Sequence, residues 1–360
     1  MEPIRLLDLG SVSPIRSQSI FHAVGHAFGP DSPDTILLVS PNAPYVSIGR
    51  HQDVDREVDL DYCRSLGLPV FRREVGGGAV YLDGNQLFTQ WIFRAEHLPA
   101  TVEARFVVYV ETLVRAYRQL GIAAEYRPIN DVHVAGRKIG GTGAARMGRA
   151  EVVVGSLMFD FDTETMARVL KVPSEKFRDK VRQSLNDYMT TMRRELGQPP
   201  PRADAVAAYL ASCAEVLDRT IEPGLPRPDE LALAEQLDVQ LASQEWLYEA
   251  GGMHRAGVKI HEDVRVGEGA HKAPGGLIRC VARVRSDILD DVGFSGDFSA
   301  RPATMPEELE VRLRGVALAE PALLAAVKDY YDTVHPEIPG VTPADWVAAI
   351  LRATTTDVPA

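Results

Sequence analysis

Cysteine is scarce in this chain: Cys63, Cys213 and Cys280 are the only three among 360 residues. They lie far apart and without metal-ligand spacing, which argues against both a disulfide framework and a zinc site and leaves buried thiols as the expectation. Long apolar runs are missing as well. No stretch approaches the ~20 residues that a membrane-spanning helix requires. The opening Met1-Glu2-Pro3-Ile4-Arg5-Leu6-Leu7 has no basic region followed by an apolar run, so a cytosolic protein without membrane attachment is expected. Positive charge is also short, with 39 Lys and Arg against 50 Asp and Glu and a formal net charge of -11. Nonspecific nucleic-acid binding depends on an excess of cations over phosphates, so no nucleic-acid partner is expected, although one local basic patch remains compatible with this balance.

What is present is a globular composition, 45% hydrophobic and 25% charged. At about 150 residues per domain the chain is too long for one ordinary core, and two domains of unequal size are expected. Ile20, Phe21, Val24, Ala27 and Phe28 recur at helical spacing before Gly29-Pro30, and a strand follows over Thr35 to Val39. A short helix stopped at Gly67 leads into a strand that carries Val70 toward Arg72 and Arg73. Leu87 to Phe93 alternates but is apolar on both sides, as suits a strand covered on two faces.

A long amphipathic helix is read from Phe106, Val110, Leu113, Tyr117 and Leu120, closed by Gly121. Residues 131–139 read as a hairpin turning at Ala135-Gly136, and Val152 to Phe159 as another strand. Strands and helices are thus interleaved in an α/β or α+β core. From about 163 to 220 the chain turns helical, broken at Pro199-Pro200-Pro201, and a helix reaching Trp246 leads into a second unit where short strands dominate between 254 and 298. There Ile278, Cys280, Ala282 and Val284 alternate with Arg279, Val281, Arg283 and Arg285, and a turn is expected within Ser286 to Asp291.

Two segments carry chemistry. In Arg72-Arg73-Glu74-Val75-Gly76-Gly77-Gly78-Ala79-Val80-Tyr81, three glycines after a strand let backbone N–H groups approach a charged ligand, and the guanidiniums are planar donors for carboxylate or phosphate. A tight turn beside a solvated arginine pair explains the same residues. In Asn130-Asp131-Val132-His133-Val134-Ala135-Gly136-Arg137-Lys138-Ile139-Gly140-Gly141-Thr142-Gly143, a lysine at a hairpin exit followed by flexible glycines can face negative charge developing on a phosphate or acyl oxygen. The alternative is an ordinary surface lysine. This glycine run is neither a P-loop nor a full GxGxxG, because Arg146 takes the last glycine position.

Taken together and in this order, the segments resemble the biotin/lipoate ligase and octanoyltransferase superfamily, and lipoate-protein ligases above all. Ser47-Ile48-Gly49-Arg50-His51-Gln52, Val153 to Asp160, Val169 to Lys176 and Glu245-Trp246 are similar to that family too. Gly275-Gly276-Leu277-Ile278 and Phe294-Ser295-Gly296-Asp297-Phe298 look like its small accessory domain. The resemblance implies a catalytic domain over 1–247, with a class II synthetase-like mixed sheet flanked by helices, and an accessory α+β domain over 254–360.

The implied reaction activates lipoate with ATP to lipoyl-AMP, then transfers the acyl group to a lysine of a lipoyl carrier domain. Such carriers are 2-oxoacid dehydrogenase E2 subunits, the glycine-cleavage H protein or a related lipoate-binding protein. Lys138 matches the catalytic lysine of the family. Arg72, Arg73, Gly76, Gly77, Gly78, Ala79, Tyr81, Gly140 and Gly141 match substrate-binding positions. Asn130, Asp131, Lys138, Gly155 and Ser156 match nucleotide-binding positions, with Asp131 a possible Mg2+ ligand or else a turn residue paired with its own backbone.

Val75, Leu82 and Val154 depart from the family pattern by removing polar groups, which puts acyl preference and rate in doubt. Octanoyltransferases of the superfamily need a thiolate as acyl acceptor. No cysteine lies in 130–160, but Asp83-Gly84-Asn85-Gln86-Leu87 distantly resembles a transferase loop and keeps that alternative open. Biotin transfer ranks below it for want of a GRGRxGR-like loop. A noncatalytic module binding lipoate or lipoyl domains would have no need for Lys138. The basic set Lys176, Arg178, Lys180, Arg182, Arg193 and Arg194 is either a docking face for an acidic carrier or a solvated helix.

Overall fold

Short apolar strands such as β-branched Thr35 to Val39 and aromatic Leu87 to Phe93 build the larger of two compact units. In the computed structural model, which describes residues 2–249 and 264–355, this unit comprises Met1–Ile48, Glu57–Glu74 and Ala79–Leu247. The chain runs through β1 (Ile4–Val12), α1 (Pro14–His26), β2 (Thr35–Pro41), β3 (Tyr45–Ile48), α2 (Val54–Glu57), α3 (Leu60–Ser65), β4 (Val70–Arg72), β5 (Val80–Leu82) and β6 (Gln86–Arg94). It continues through α4 (Val102–Gln119), β7 (Ala124–Arg127), β8 (Asp131–Val134), β9 (Arg137–Gly141), β10 (Gly143–Met147) and β11 (Ala150–Met158). The helical tract is α5 (Thr163–Val169), α6 (Glu175–Tyr188), α7 (Met192–Leu196) and α8 (Arg202–Leu217), and β12 (Ile221–Pro223), α9 (Pro228–Leu241) and α10 (Gln244–Tyr248) follow it.

Six strands form a mixed sheet in the order β10-β11-β6-β2-β1-β12, with β1 parallel to both neighbours and the others antiparallel. Both faces of β6 are covered. Trp91 and Phe93 join Phe106, Tyr109, Val110 and Leu113 of α4 in one core, while α1 lies on the opposite face, where Gly25 leaves room for Met147 and Val152. Two three-stranded sheets, β4-β3-β5 and β7-β8-β9, complete the unit. The fold is mixed α/β, a sheet flanked by helices.

The expected hairpin turns at Ala135 (φ 48°) and Gly136 (φ 80°), a two-residue loop with both central residues left-handed, whose twist suits its flanking strands. The glycines after it are a correction. Gly140 and Gly141 finish β9 and Gly143 opens β10, so the run is paired strand backbone rather than a flexible loop.

The second unit comprises Gly49–Arg56, Val75–Gly78 and Tyr248–Ala360. The expected strands at 254–263 lie outside the described residues. Beyond them β13 (Val264–Ala273), β14 (Gly276–Arg285) and β15 (Ile288–Gly296) form an antiparallel sheet, followed by α11 (Met305–Leu313), α12 (Glu320–Val334) and α13 (Pro343–Thr355). Ile278, Cys280, Ala282 and Val284 are buried among Phe294, Leu309, Val327 and Trp346, as their alternation predicts. The turn is tighter than expected. Only Ser286 and Asp287 leave the ladder, both at positive φ, and the rest of that segment is strand.

Candidate active site

The hairpin β8–β9 brings Asn130, Asp131, Lys138, Gly140 and Gly141 together. Pairing sets Asp131 opposite Gly141 and His133 opposite Lys138, with a bulge between Val132 and His133. Lys138 Nζ lies 2.7 Å from Asp131 Oδ1, both side chains mostly but not fully shielded, at 28% and 20% exposure. A Cβ on Gly141 would fall 2.9 Å from Lys138 Nζ and 3.3 Å from Asp131 Oδ1, so the missing side chain is what leaves the ion pair its space.

Asn130 fixes the entry to the hairpin. Its carbonyl accepts from both the backbone N–H and the hydroxyl of Thr142, each at 2.9 Å, and its side-chain amide donates to Thr142 O. The carbonyl of Lys138 accepts from Thr190 N at 2.8 Å, which ties the end of α6 to the lysine. Gly140 approaches β11, its ideal Cβ 3.4 Å from Ser156 O. Gly155 serves packing: a Cβ there would meet the Tyr109 ring at 2.9 Å.

The two arginines before the glycine loop have different surroundings. Arg72 is fully buried, and its guanidinium donates to Leu247 O at 2.6 Å while Trp246 Nε1 donates back to Arg72 O at 2.9 Å. That guanidinium anchors α10 through backbone carbonyls, a structural use that the sequence reading, which aimed it at substrate, did not anticipate. Arg73 donates to the carbonyl and hydroxyl oxygens of Ser47, each at 3.2 Å. Burial lowers its pKa to about 10, so it stays cationic at neutral pH. Tyr81 is core, its N–H directed at Met166 Sδ and its phenol pushed up to about 12 by burial.

Gly76–Gly78 belong to the second unit. A Cβ on Gly49 would fall 1.9 Å from Gly77 O, and one on Gly76 would fall 2.5 Å from Phe298 O, so two glycine backbones touch and the loop lies flat against Phe298 and Ser299. Gly77 sits at φ 98°, which favours glycine. His51 stacks on Phe298 with centroids 5.0 Å apart. Ala79, at the first unit's edge, is partly buried.

A magnesium ion held by protein groups alone does not fit here. Asp131 offers one carboxylate whose Oδ1 already faces the Lys138 ammonium, and among the described residues no group of three His, Cys, Asp or Glu could hold a metal ion. The basic set after the core is largely engaged within the chain. Arg178 donates to the carbonyls of Ala167, Arg168 and Leu170 at the end of α5, Arg182 pairs with Glu164, Arg193 with Asp160, and Arg194 donates to Asn186 O and Met189 O. No helix among the described residues is long and apolar enough to cross a membrane.

Sequence reasoning passed over His133. It is buried at 3% exposure, neither ring nitrogen has a hydrogen-bond partner among the described residues, and Nε2 lies 3.8 Å from Asp131 Oδ2. A signal was available, since His133 is the one polar side chain between Val132 and Val134.

A profile of the lipoyl protein ligase A/B catalytic domain matches residues 18–214, more than half of the chain. The chain belongs to this family. Among curated relatives, octanoyltransferase LipM of Kyrpidia tusciae is 29% identical over 273 residues, 69% of this chain and 99% of that protein. Lipoate-protein ligase A subunit 1 of Thermoplasma acidophilum is 35% identical over 158 residues, 41% of this chain and 59% of that protein. The solved structure of a bipartite lipoate protein ligase of T. acidophilum, described with its E2 lipoyl domain, aligns with TM-score 0.64 and 26% identity. It covers 72% of this chain and 100% of its own. The chain is therefore an enzyme of the lipoate ligase and octanoyltransferase family, and its similarity extends to members of both activities.

Proposed function

We propose that this family member is an ATP-dependent lipoate-protein ligase, with catalysis assigned to residues 1–247 and an accessory role to 254–360. The observation that carries the reading is the Lys138 ammonium, held by Asp131 beside Gly141. In the first step a lipoate carboxylate oxygen attacks the α-phosphorus of ATP and the bond to pyrophosphate breaks. In the second, a carrier lysine nitrogen attacks the acyl carbon, the bond to AMP breaks, and the amine gives up a proton.

Negative charge gathers on neighbouring oxygens in both steps, and one cation that persists through both lowers each barrier. Lys138 is assigned that role. Arg73 is assigned to the acyl carboxylate and phosphates, and Asn130 and Ser156 to the nucleotide. Magnesium, if it accompanies ATP, would travel on the phosphates rather than on Asp131. Lipoate and ATP are the substrates, and a lipoyl carrier domain is the partner, as the pairing of the Thermoplasma ligase with an E2 lipoyl domain suggests.

Octanoyl transfer is the second reading, favoured by the near full-length match to the Kyrpidia LipM. It needs a reactive thiolate. All three cysteines are buried, and burial pushes Cys63 up to about 11, Cys213 up to about 12 and Cys280 upward as well, which opposes it.

Pyrophosphate release with ATP plus lipoate, octanoate or biotin, compared with Lys138→Ala, tests the proposal. Lipoate-dependent release lost in the variant supports the ligase. Octanoyl transfer from an acyl carrier without ATP selects the transferase, and silence in both with retained lipoate binding selects a binding module.

A further inference from the structure

We infer that His133 is a positioning residue for Lys138, acting through Asp131 as the donor that replaces the ammonium when it turns to substrate; this rests on the ligase reading above. Three side chains stand in a row on the hairpin. Lys138 Nζ is 2.7 Å from Asp131 Oδ1, and Asp131 Oδ2 is 3.8 Å from His133 Nε2. The imidazole is buried at 3% exposure with both ring nitrogens unpartnered among the described residues, and the Tyr188 ring closes over it edge-on at 5.7 Å.

A buried polar atom left without a partner is costly, and the strand positions on either side of this one are valines. A valine here would pack at no such cost, so the histidine has its explanation elsewhere. Stabilising charge on substrate draws the Lys138 ammonium away from Asp131, which leaves a partly buried carboxylate unpaired. His133 is the group next to that carboxylate. Because neither nitrogen is committed to a partner, the Nε2–H tautomer is open to it, and a side-chain rotation closes 3.8 Å to hydrogen-bond distance. The imidazole gives its hydrogen bond only when the lysine withdraws its own. No bond is made or broken and no proton is transferred in this exchange.

The test compares His133→Val, His133→Gln and His133→Asn. Gln places an amide where Nε2 stands, whereas Asn mimics Nδ1. For lipoate-dependent pyrophosphate release, Val is expected to lower kcat ~10-fold with KM for lipoate and ATP within about two-fold, Gln to restore most of it, and Asn not to. A second readout needs no turnover: acetylation of Lys138 by acetic anhydride, followed by peptide mass spectrometry. It is expected to be several-fold slower in the Val variant, where Asp131 keeps the ammonium, and near wild type in the Gln variant. Equal kcat and equal labelling in all four proteins overturn the proposal, as does an equal loss in Val and Gln, which marks a packing role alone. A wild type that releases no pyrophosphate overturns the ligase reading instead, while the labelling still decides His133.

Discussion

A Cβ on Gly141 would stand 2.9 Å from the Nζ of Lys138. Glycine is needed there for side-chain room and not for backbone freedom, since Gly141 is absent from the positive-φ residues. Because the obstructed atom is the far end of a flexible lysine, Gly141→Ala should fold normally and push the ammonium aside. A misplacement of about 1 Å at a reacting centre costs roughly 100-fold in rate. The variant should therefore lose adenylation by that order while its melting temperature stays close to wild type, as thermal unfolding and pyrophosphate release measured on one preparation will show. A rate within two-fold of wild type would detach Lys138 from the chemistry.

Asp131 and Lys138 share an ion pair that engages Oδ1 of the carboxylate, and on the ligase reading the task of the aspartate is to hold the lysine rather than a magnesium ion. Asp131→Asn should then impair the reaction by loosening the lysine, on the order of 10-fold. Raising magnesium over a wide range should not restore it. Recovery at high magnesium, read as initial rates of pyrophosphate release, would return the aspartate to metal binding.

The hairpin was legible because its two turn residues sit between alternating apolar positions, and β6 because its apolar run is bounded and aromatic. The pattern of β14 was legible for the same reason, Ile278, Cys280, Ala282 and Val284 all facing one core. Other features leave little trace in sequence. β12 is a three-residue edge strand, Ile221–Pro223, with almost no burial to generate a pattern. The glycines before β10 resemble a loop in sequence, because what orders Gly140 and Gly141 is their pairing with Val132 and Asp131 across the hairpin. Arg72 resembles Arg73 until the carbonyls at Trp246 and Leu247 are seen to claim it. Among the site residues, motif spacing located Lys138, Asp131 and Asn130. The nearness of His133 to Asp131, and the room that Gly141 leaves for the ion pair, emerge only from strand register.

A buried ion pair joins α4 to β11. Arg105 donates to Glu151 at 2.6 Å and to the carbonyl of Pro99 at 2.7 Å, with both side chains nearly inaccessible. Removing one partner leaves an uncompensated buried charge, which costs about 3–5 kcal/mol. Arg105→Ala should lower the free energy of unfolding in urea by that amount, without a matching change in KM for a chain that remains folded. A loss below about 1 kcal/mol would mean that water reaches the pair.

His22 and His26, one helical turn apart on α1, should titrate in opposite directions. Burial lowers His22 to about 4, and its Nε2 accepts from Glu74 N at 3.3 Å, which requires that nitrogen to be unprotonated. The side-chain hydrogen bond of His26 Nε2 to the Glu74 carboxylate raises its pKa above 6.5. The signs follow from linkage. His26 contributes stability that is complete below its unfolded value near 6.5 and is lost as pH rises through its higher folded value. His22 works the other way, because the unfolded chain takes up its proton near 6.5 and the folded chain refuses it until about 4, so stability falls as pH drops across that window. Ring-proton NMR from about pH 3 to 8 should resolve one histidine above and one below the ordinary value. Glu74→Gln should return His26 toward 6.5 and, by removing a favourable charge, move His22 lower still. Two histidines titrating together near the ordinary value would show that the contact with Glu74 and the burial of His22 are not kept in solution.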